Sequence, residues 1–174
     1  MTILTILEVP DPGLRAVAKP VAAVDSDIRA TLADMLETMY DARGIGLAAT
    51  QVGIEQRLVV IDLQEPEEEG GDPVRRPVTF INPELLSVSD ETSKYNEGCL
   101  SIPEQYAEVE RPARCRVQWL DGDGVRHEEE MDGLMATCIQ HEIDHLNGVL
   151  FTDHISKLKR DILMKKLAKL RKAG

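Results

Sequence analysis

Residues 134–148 read LMATCIQHEIDHLNG, and the rest of the chain is best understood outward from this stretch. Its apolar positions recur with a helical period over 134–147, and Gly148 stands just past the end as a stop signal. Within it, His141-Glu142-Ile143-Asp144-His145 is an H-E-x-x-H motif. Residues at i and i+4 share one helix face, about 5–6 Å apart at Cβ. Two imidazoles so placed can converge on one divalent ion, and the glutamate between them can reach a water on that ion. The plain alternative is an exposed helix with polar i,i+4 pairs, which the local polarity also permits.

A catalytic divalent site commonly takes three protein ligands and keeps an open position. The longer metzincin pattern fails here, because Phe151 stands where its last histidine belongs, and no glutamate follows Glu142. The downstream candidates are Asp153, His154 and Asp161; the upstream ones are Cys99 and Cys138. Cys138 is seven residues from His145, about 10.5 Å along a helix axis. That span is too long for one ion with bonds of about 2.0–2.3 Å, so Cys138 reads as a packed residue beside the site. Cys115 sits in a strand and reads as core. Cys99 lies in an irregular bend, Glu97-Gly98-Cys99-Leu100-Ser101-Ile102-Pro103, where periodic packing does not explain a thiol, although a lone cysteine reads first as a buried structural residue.

Around this helix the pattern predicts a helix over 27–43, capped by Asp25 or Ser26 and ended at C′ by Gly44. Leu58-Val59-Val60-Ile61 reads as a buried strand, and residues 64–77 as an exposed acidic loop. Arg114–Leu120 alternates and pairs with Val125–Met131 as a hairpin across Gly122 and Gly124. Residues 155–172 form a last amphipathic helix, with Leu158, Ile162, Leu163, Leu167 and Leu170 as its apolar stripe. Helices among short strands without βαβ alternation indicate an α+β fold: short, mostly antiparallel sheets around a central metal-binding helix. The 174 residues suit one catalytic domain, 1–174, that ends in the basic helix 155–172.

Composition narrows the function. Six aromatic residues are too few for a base-stacking platform, and a net charge of −11 argues against a nucleic-acid coat. No apolar run approaches the roughly 18 residues of a membrane span, and residues 1–15 lack a secretory pattern. Three scattered cysteines suit a reducing compartment, so a cytoplasmic location is expected.

Gly44-Ile45-Gly46-Leu47-Ala48-Ala49-Thr50-Gln51-Val52-Gly53 formally matches a dinucleotide fingerprint, G-x-G-x-x-A. That fingerprint needs a strand before it and a helix after it, and here the order is reversed. Its glycines can instead let backbone approach a substrate, with Gln51 supplying an amide donor to an oxyanion. A helix-ending loop with a solvated Gln51 is the alternative.

Three motifs now stand in order: GIGLAATQVG at 44–53, EGCLSIP at 97–103 and QHEIDHLNG at 140–148. Together they closely resemble the bacterial peptide deformylase family, over nearly the whole chain. The resemblance implies Cys99, His141 and His145 as metal ligands, Glu142 as general acid/base, and Gln51 with the Leu100 N–H at the oxyanion. It places Gly46 along the bound peptide backbone, and Ile45, Leu134 and Cys138 around the methionine side chain. It implies Fe²⁺ as the resident ion, with Zn²⁺, Ni²⁺ or Co²⁺ as substitutes, and N-formylmethionyl nascent peptides as substrates of a monomeric enzyme. The residues alone say that one thiolate and two imidazoles suit Zn²⁺ or Fe²⁺. Tyr106 and Thr137 depart from the residues some members carry, Arg and Ile, and bear on pocket preference. Glu97 and Arg111 are expected to pair at the site's edge. Asp144 is expected either to orient a ligand imidazole or to be a solvated helix residue.

Residues 157–172 hold eight Lys or Arg against Asp161, a net +7 that leaves −18 on the rest. Two readings stand: docking on ribosomal RNA, or a leucine-packed helix whose lysines are merely solvated. The rival enzyme is a zinc endopeptidase using His141, His145 and Asp161 or His154. A structural metal domain with an interaction tail is the non-enzymatic reading.

Overall fold

A computed structural model describes residues 2–173. Helix α1 (Ser26–Asp41) is followed by strands β1 (Gly46–Ala48), β2 (Leu58–Ile61) and β3 (Val78–Val88). Strands β4 (Thr92–Cys99), β5 (Ile102–Pro112), β6 (Cys115–Leu120) and β7 (Arg126–Met131) come next, then helices α2 (Gly133–Leu146) and α3 (Lys157–Ala173). Five strands pair antiparallel in the order β1-β2-β3-β6-β7, while β4 and β5 form a separate antiparallel ribbon. The α+β expectation holds.

Strand β2 shows why its sequence is apolar on every position. Successive side chains of a strand point to opposite faces. Leu58 and Val60 pack with Leu32, Met35 and Met39 of α1. Val59 and Ile61 pack with Ile139, Ile143 and Leu146 of α2. The sheet therefore lies between the two helices, and all four β2 residues are fully buried. Each such aliphatic side chain contributes about 1.5–3 kcal/mol by leaving water. A third cluster joins the N-terminal segment (Val9, Leu14), the β4–β5 ribbon (Ile102, Val109), Phe151 and α3 (Leu163, Leu167).

Several expectations shift. Helix α1 is capped by Asp25, whose carboxylate accepts the Ile28 N–H at 2.9 Å. At its other end the left-handed residue is Arg43, with φ 59°, not Gly44. The Arg43 N–H donates to Tyr40 O and the Gly44 N–H to Met39 O, which is the Schellman pattern displaced by one residue. Gly44 instead lets the chain pass close to Leu100: a Cβ there would meet Leu100 Cδ1 at 2.7 Å, so that side chain would have to shift. On α3, only Leu163 and Leu167 of the expected stripe are buried, while Leu158, Ile162 and Leu170 face outward. The helix crosses the body by a narrow contact rather than along its length. The stretch 92–112 forms the long ribbon. The loop at 64–77 is irregular and mostly exposed, as expected.

Candidate active site

The ribbon and α2 meet where the three quoted motifs converge. Gly98 ends the regular register of β4, and Cys99 pairs with Ile102 across a tight turn that carries Leu100 and Ser101. This turn presents Cys99 to the face of α2 that bears His141 and His145. The His145 Nε2 lies 3.3 Å from Cys99 Sγ and 3.2 Å from His141 Nε2. All three donor atoms lie within 4.8 Å of one another, the one such grouping of potential metal ligands among the described residues. Ligands of a tetrahedral ion with bonds of about 2.0–2.3 Å stand about 3.3–3.7 Å apart, so the set fits a divalent cation.

The alternative third ligands lie elsewhere. The Asp153 carboxylate pairs with Arg15 at 2.6 Å. His154 Nε2 bonds Asp144 at 2.8 Å, and Asp161 faces Lys157 at 3.4 Å. The endopeptidase ligand sets are therefore not assembled.

Around the cluster the polar groups are oriented. The His141 Nδ1–H donates to Glu97 Oε1 at 2.9 Å, which leaves Nε2 as the nitrogen facing the thiol. The Arg111 guanidinium grips Glu97 with two bonds, Nε to Oε2 at 2.7 Å and Nη2 to Oε1 at 3.0 Å. Sequence placed this pair at an edge, yet both side chains are only 5% exposed. Burial pushes the Glu97 carboxyl up, but His141 and Arg111 outweigh it and hold the group below its usual range. Burial, followed by the nearby His141 charge, drives His145 well below the usual imidazole range. A neutral ring is the form that can ligate a metal.

Glu142 is buried, and its Oε2 has no hydrogen-bond partner among the described residues. Burial pushes its carboxyl up to about 7, with His141 the main opposing influence. A carboxyl poised there can both take and return a proton near neutrality. Gln51 is also buried. Its Oε1 accepts the Ala48 N–H at 3.0 Å, while Nε2 donates to Ser101 Oγ at 3.1 Å and reaches Cys99 Sγ at 3.4 Å. Gln51 is thus anchored, not solvated, with its amide nitrogen turned toward the thiol. Ser101, absent from the sequence-based site, holds that orientation, and an isolated serine in a bend carries no periodic signal.

A cleft of about 690 Å³ opens onto these groups. Ile45 and Gly46 border it from the β1 side, Cys99 and Leu100 from the ribbon turn, and Leu134, Cys138, His141 and Glu142 from α2. His145 lies behind Cys99, almost wholly buried. Cys138 is no ligand. Burial, then the Glu142 charge, pushes its thiol up to about 12, so it lines the wall as a neutral, weakly polar group. Of the two noted departures, Thr137 is buried in the wall, while Tyr106 stands 65% exposed at the mouth against Gly98.

Residues 3–161 match the family model described as Polypeptide deformylase. A peptide deformylase of Rhizorhabdus wittichii is 62% identical over 173 residues, covering 99% of this chain and 98% of that protein. One from Zymomonas mobilis is 58% identical, covering 99% and 97%. The crystal structure of a peptide deformylase from Legionella pneumophila superposes with a TM-score of 0.89 at 42% identity, covering 99% of this chain and 97% of that one.

Proposed function

The chain belongs to the peptide deformylase family, and from that membership we propose which of its residues carry the reaction. The enzyme hydrolyses the formyl group from the N-terminal formylmethionine of newly synthesised proteins and releases formate. The site binds a divalent metal, and the ligands in this reading are Cys99, His141 and His145. The observation that carries it is the convergence of those three donors beside the buried carboxylate of Glu142, whose Oε2 has no hydrogen-bond partner among the described residues.

When bound, the ion supplies Lewis acidity: it makes water nucleophilic near neutral pH and polarises a carbonyl. Glu142 takes a proton from the attacking water and delivers it to the departing amine, so one carboxyl serves both halves of the reaction. Gln51 Nε2 and the Leu100 N–H hold the formyl oxygen as negative charge builds on it. Each such donor is worth about 2.7–4 kcal/mol in the transition state. Gly46 lies along the peptide backbone, and Ile45, Leu134 and Cys138 enclose the methionine side chain. Fe²⁺ is the ion in this reading, with Zn²⁺, Ni²⁺ or Co²⁺ able to replace it. The chain acts as one catalytic domain and a monomer in the cytoplasm. No helix among the described residues is long and apolar enough to cross a membrane.

Hydrolysis of formyl-Met-Ala under anaerobic conditions, beside metal analysis, tests the assignment. Glu142→Gln is expected to lose about 10²–10⁴ in kcat with its metal retained. Cys99→Ala is expected to lose the metal itself. Retention of full metal by Cys99→Ala would overturn the ligand set.

The basic helix α3 is read as a contact for ribosomal RNA. Its lysines face outward while Leu163 and Leu167 anchor it to the body. Replacement of those lysines by glutamate should abolish co-sedimentation with ribosomes at low salt; unchanged co-sedimentation refutes the contact.

A further inference from the structure

The hydrogen bonds that orient His141 do not stop at Arg111. The third donor of that guanidinium, Nη1, reaches Asp144 Oδ2 at 2.8 Å. The same oxygen is bonded by His154 Nε2, also at 2.8 Å. The side chains His154, Asp144, Arg111, Glu97 and His141 thus form one unbroken run from the surface to a ring of the three-donor cluster. Arg111 and Glu97 are almost wholly buried, Asp144 is 24% exposed, and His154 is 35% exposed at the outer end. His154 also closes the 3-10 turn Phe151–His154, whose first residue stacks on the His141 ring with centroids 6.1 Å apart. That turn leads directly into α3.

We propose that His154 is a positioning residue for the active site: it holds Asp144 in the orientation that clamps Arg111 across Glu97, and so fixes the ring of His141. This rests on the assignment of His141 as a ligand. The physical case is geometric. Arg111 presents a rigid planar fork, so its bidentate grip on Glu97 and its bond to Asp144 must be satisfied together. Without a second partner, the Asp144 carboxylate can turn toward water and draw the guanidinium with it. Glu97 then loses its fixed plane, and with it the acceptor for the His141 Nδ1–H. Groups bonded directly to a ligand typically change metal affinity 10–100-fold. His154 acts through three intermediaries, so a smaller effect of about threefold to tenfold is expected.

The test compares the wild-type protein with His154→Phe, which keeps a flat ring without a donor, and His154→Gln, which retains a side-chain N–H. Each is loaded with Co²⁺, and loss of the ion to a chelator is followed through its visible absorption bands. Steady-state kinetics on formyl-Met-Ala and thermal melting accompany it. The expected result is about threefold to tenfold faster metal loss in His154→Phe, with a matching fall in kcat and unchanged KM. His154→Gln should return both to within about twofold of wild type. A His154→Phe protein that matches wild type in metal loss and absorption would overturn the inference, as would failure of His154→Gln to restore an impaired value. Failure of the wild-type protein to take up Co²⁺ would overturn the ligand assignment itself, and this inference with it.

Discussion

Glu142 and Gly46 show how closely the chemistry is packed. A Cβ on Gly46 would lie 3.1 Å from Glu142 Oε2 and 3.2 Å from its Cδ. The missing side chain therefore leaves the space the carboxylate needs. Gly46→Ala should push the carboxylate aside without unfolding the strand, because the neighbour that must move is a side chain. In the role proposed for Glu142 as general acid/base, a displacement below about 1 Å costs up to about 10²-fold. We expect kcat to fall between about tenfold and 10²-fold on formyl-Met-Ala, with a stability change under about 1 kcal/mol by urea unfolding.

Helix α2 gathers both histidines and Glu142, so its ends matter as much as its face. It runs to Leu146, and Gly148 follows with φ 75°. Its Cα also approaches the backbone of the N-terminal segment: a Cβ would meet Arg15 O at 2.6 Å. Two penalties coincide there, a left-handed conformation and a clash with backbone that cannot swing away. The Arg15 side chain adds a bond to Gly148 O at 2.9 Å and the pair with Asp153. Gly148→Ala should therefore destabilise the protein by more than about 1 kcal/mol, read as a lower urea midpoint at unchanged slope. An unchanged midpoint would show that the N-terminal segment is not held by this junction.

For the molecule as a whole, one alkaline limb of stability can be assigned. The Tyr40 hydroxyl donates to Asp62, which also accepts the backbone N–H of Arg76 and of Gln64 where the acidic loop leaves the sheet. Burial first, and the Asp62 carboxylate second, push the Tyr40 phenol up to about 12, although Arg75 over its ring opposes them. A phenol raised in the folded state favours folding while it stays protonated. That contribution is intact below the unfolded value of about 10 and is lost as pH rises toward 12. Urea midpoints measured between pH 9 and pH 11.5 should fall more steeply for the wild-type protein than for Tyr40→Phe. Parallel slopes would remove Tyr40 from the account.

The sequence by itself determined the elements whose signals are local. Period and caps marked α1 and α2, an unbroken apolar run marked β2, and H-E-x-x-H spacing placed two rings and a carboxylate on one face. Three motifs in order carried the family and, by resemblance, pointed to Cys99 as the third ligand of the proposed site. What the tertiary structure decided was every relation between distant segments. The β4–β5 ribbon is largely polar along 92–98, so its pairing, and the turn that delivers Cys99, leaves little periodic trace. Burial of the Glu97–Arg111 pair, the anchoring of Gln51 by Ser101, and the link from His154 to Asp144 follow from contacts 10 to 50 residues apart. The exposure of Leu158, Ile162 and Leu170 likewise depends on how little of α3 the body meets. Local patterns record what a segment prefers; which charges lose their water is set only when segments close on one another.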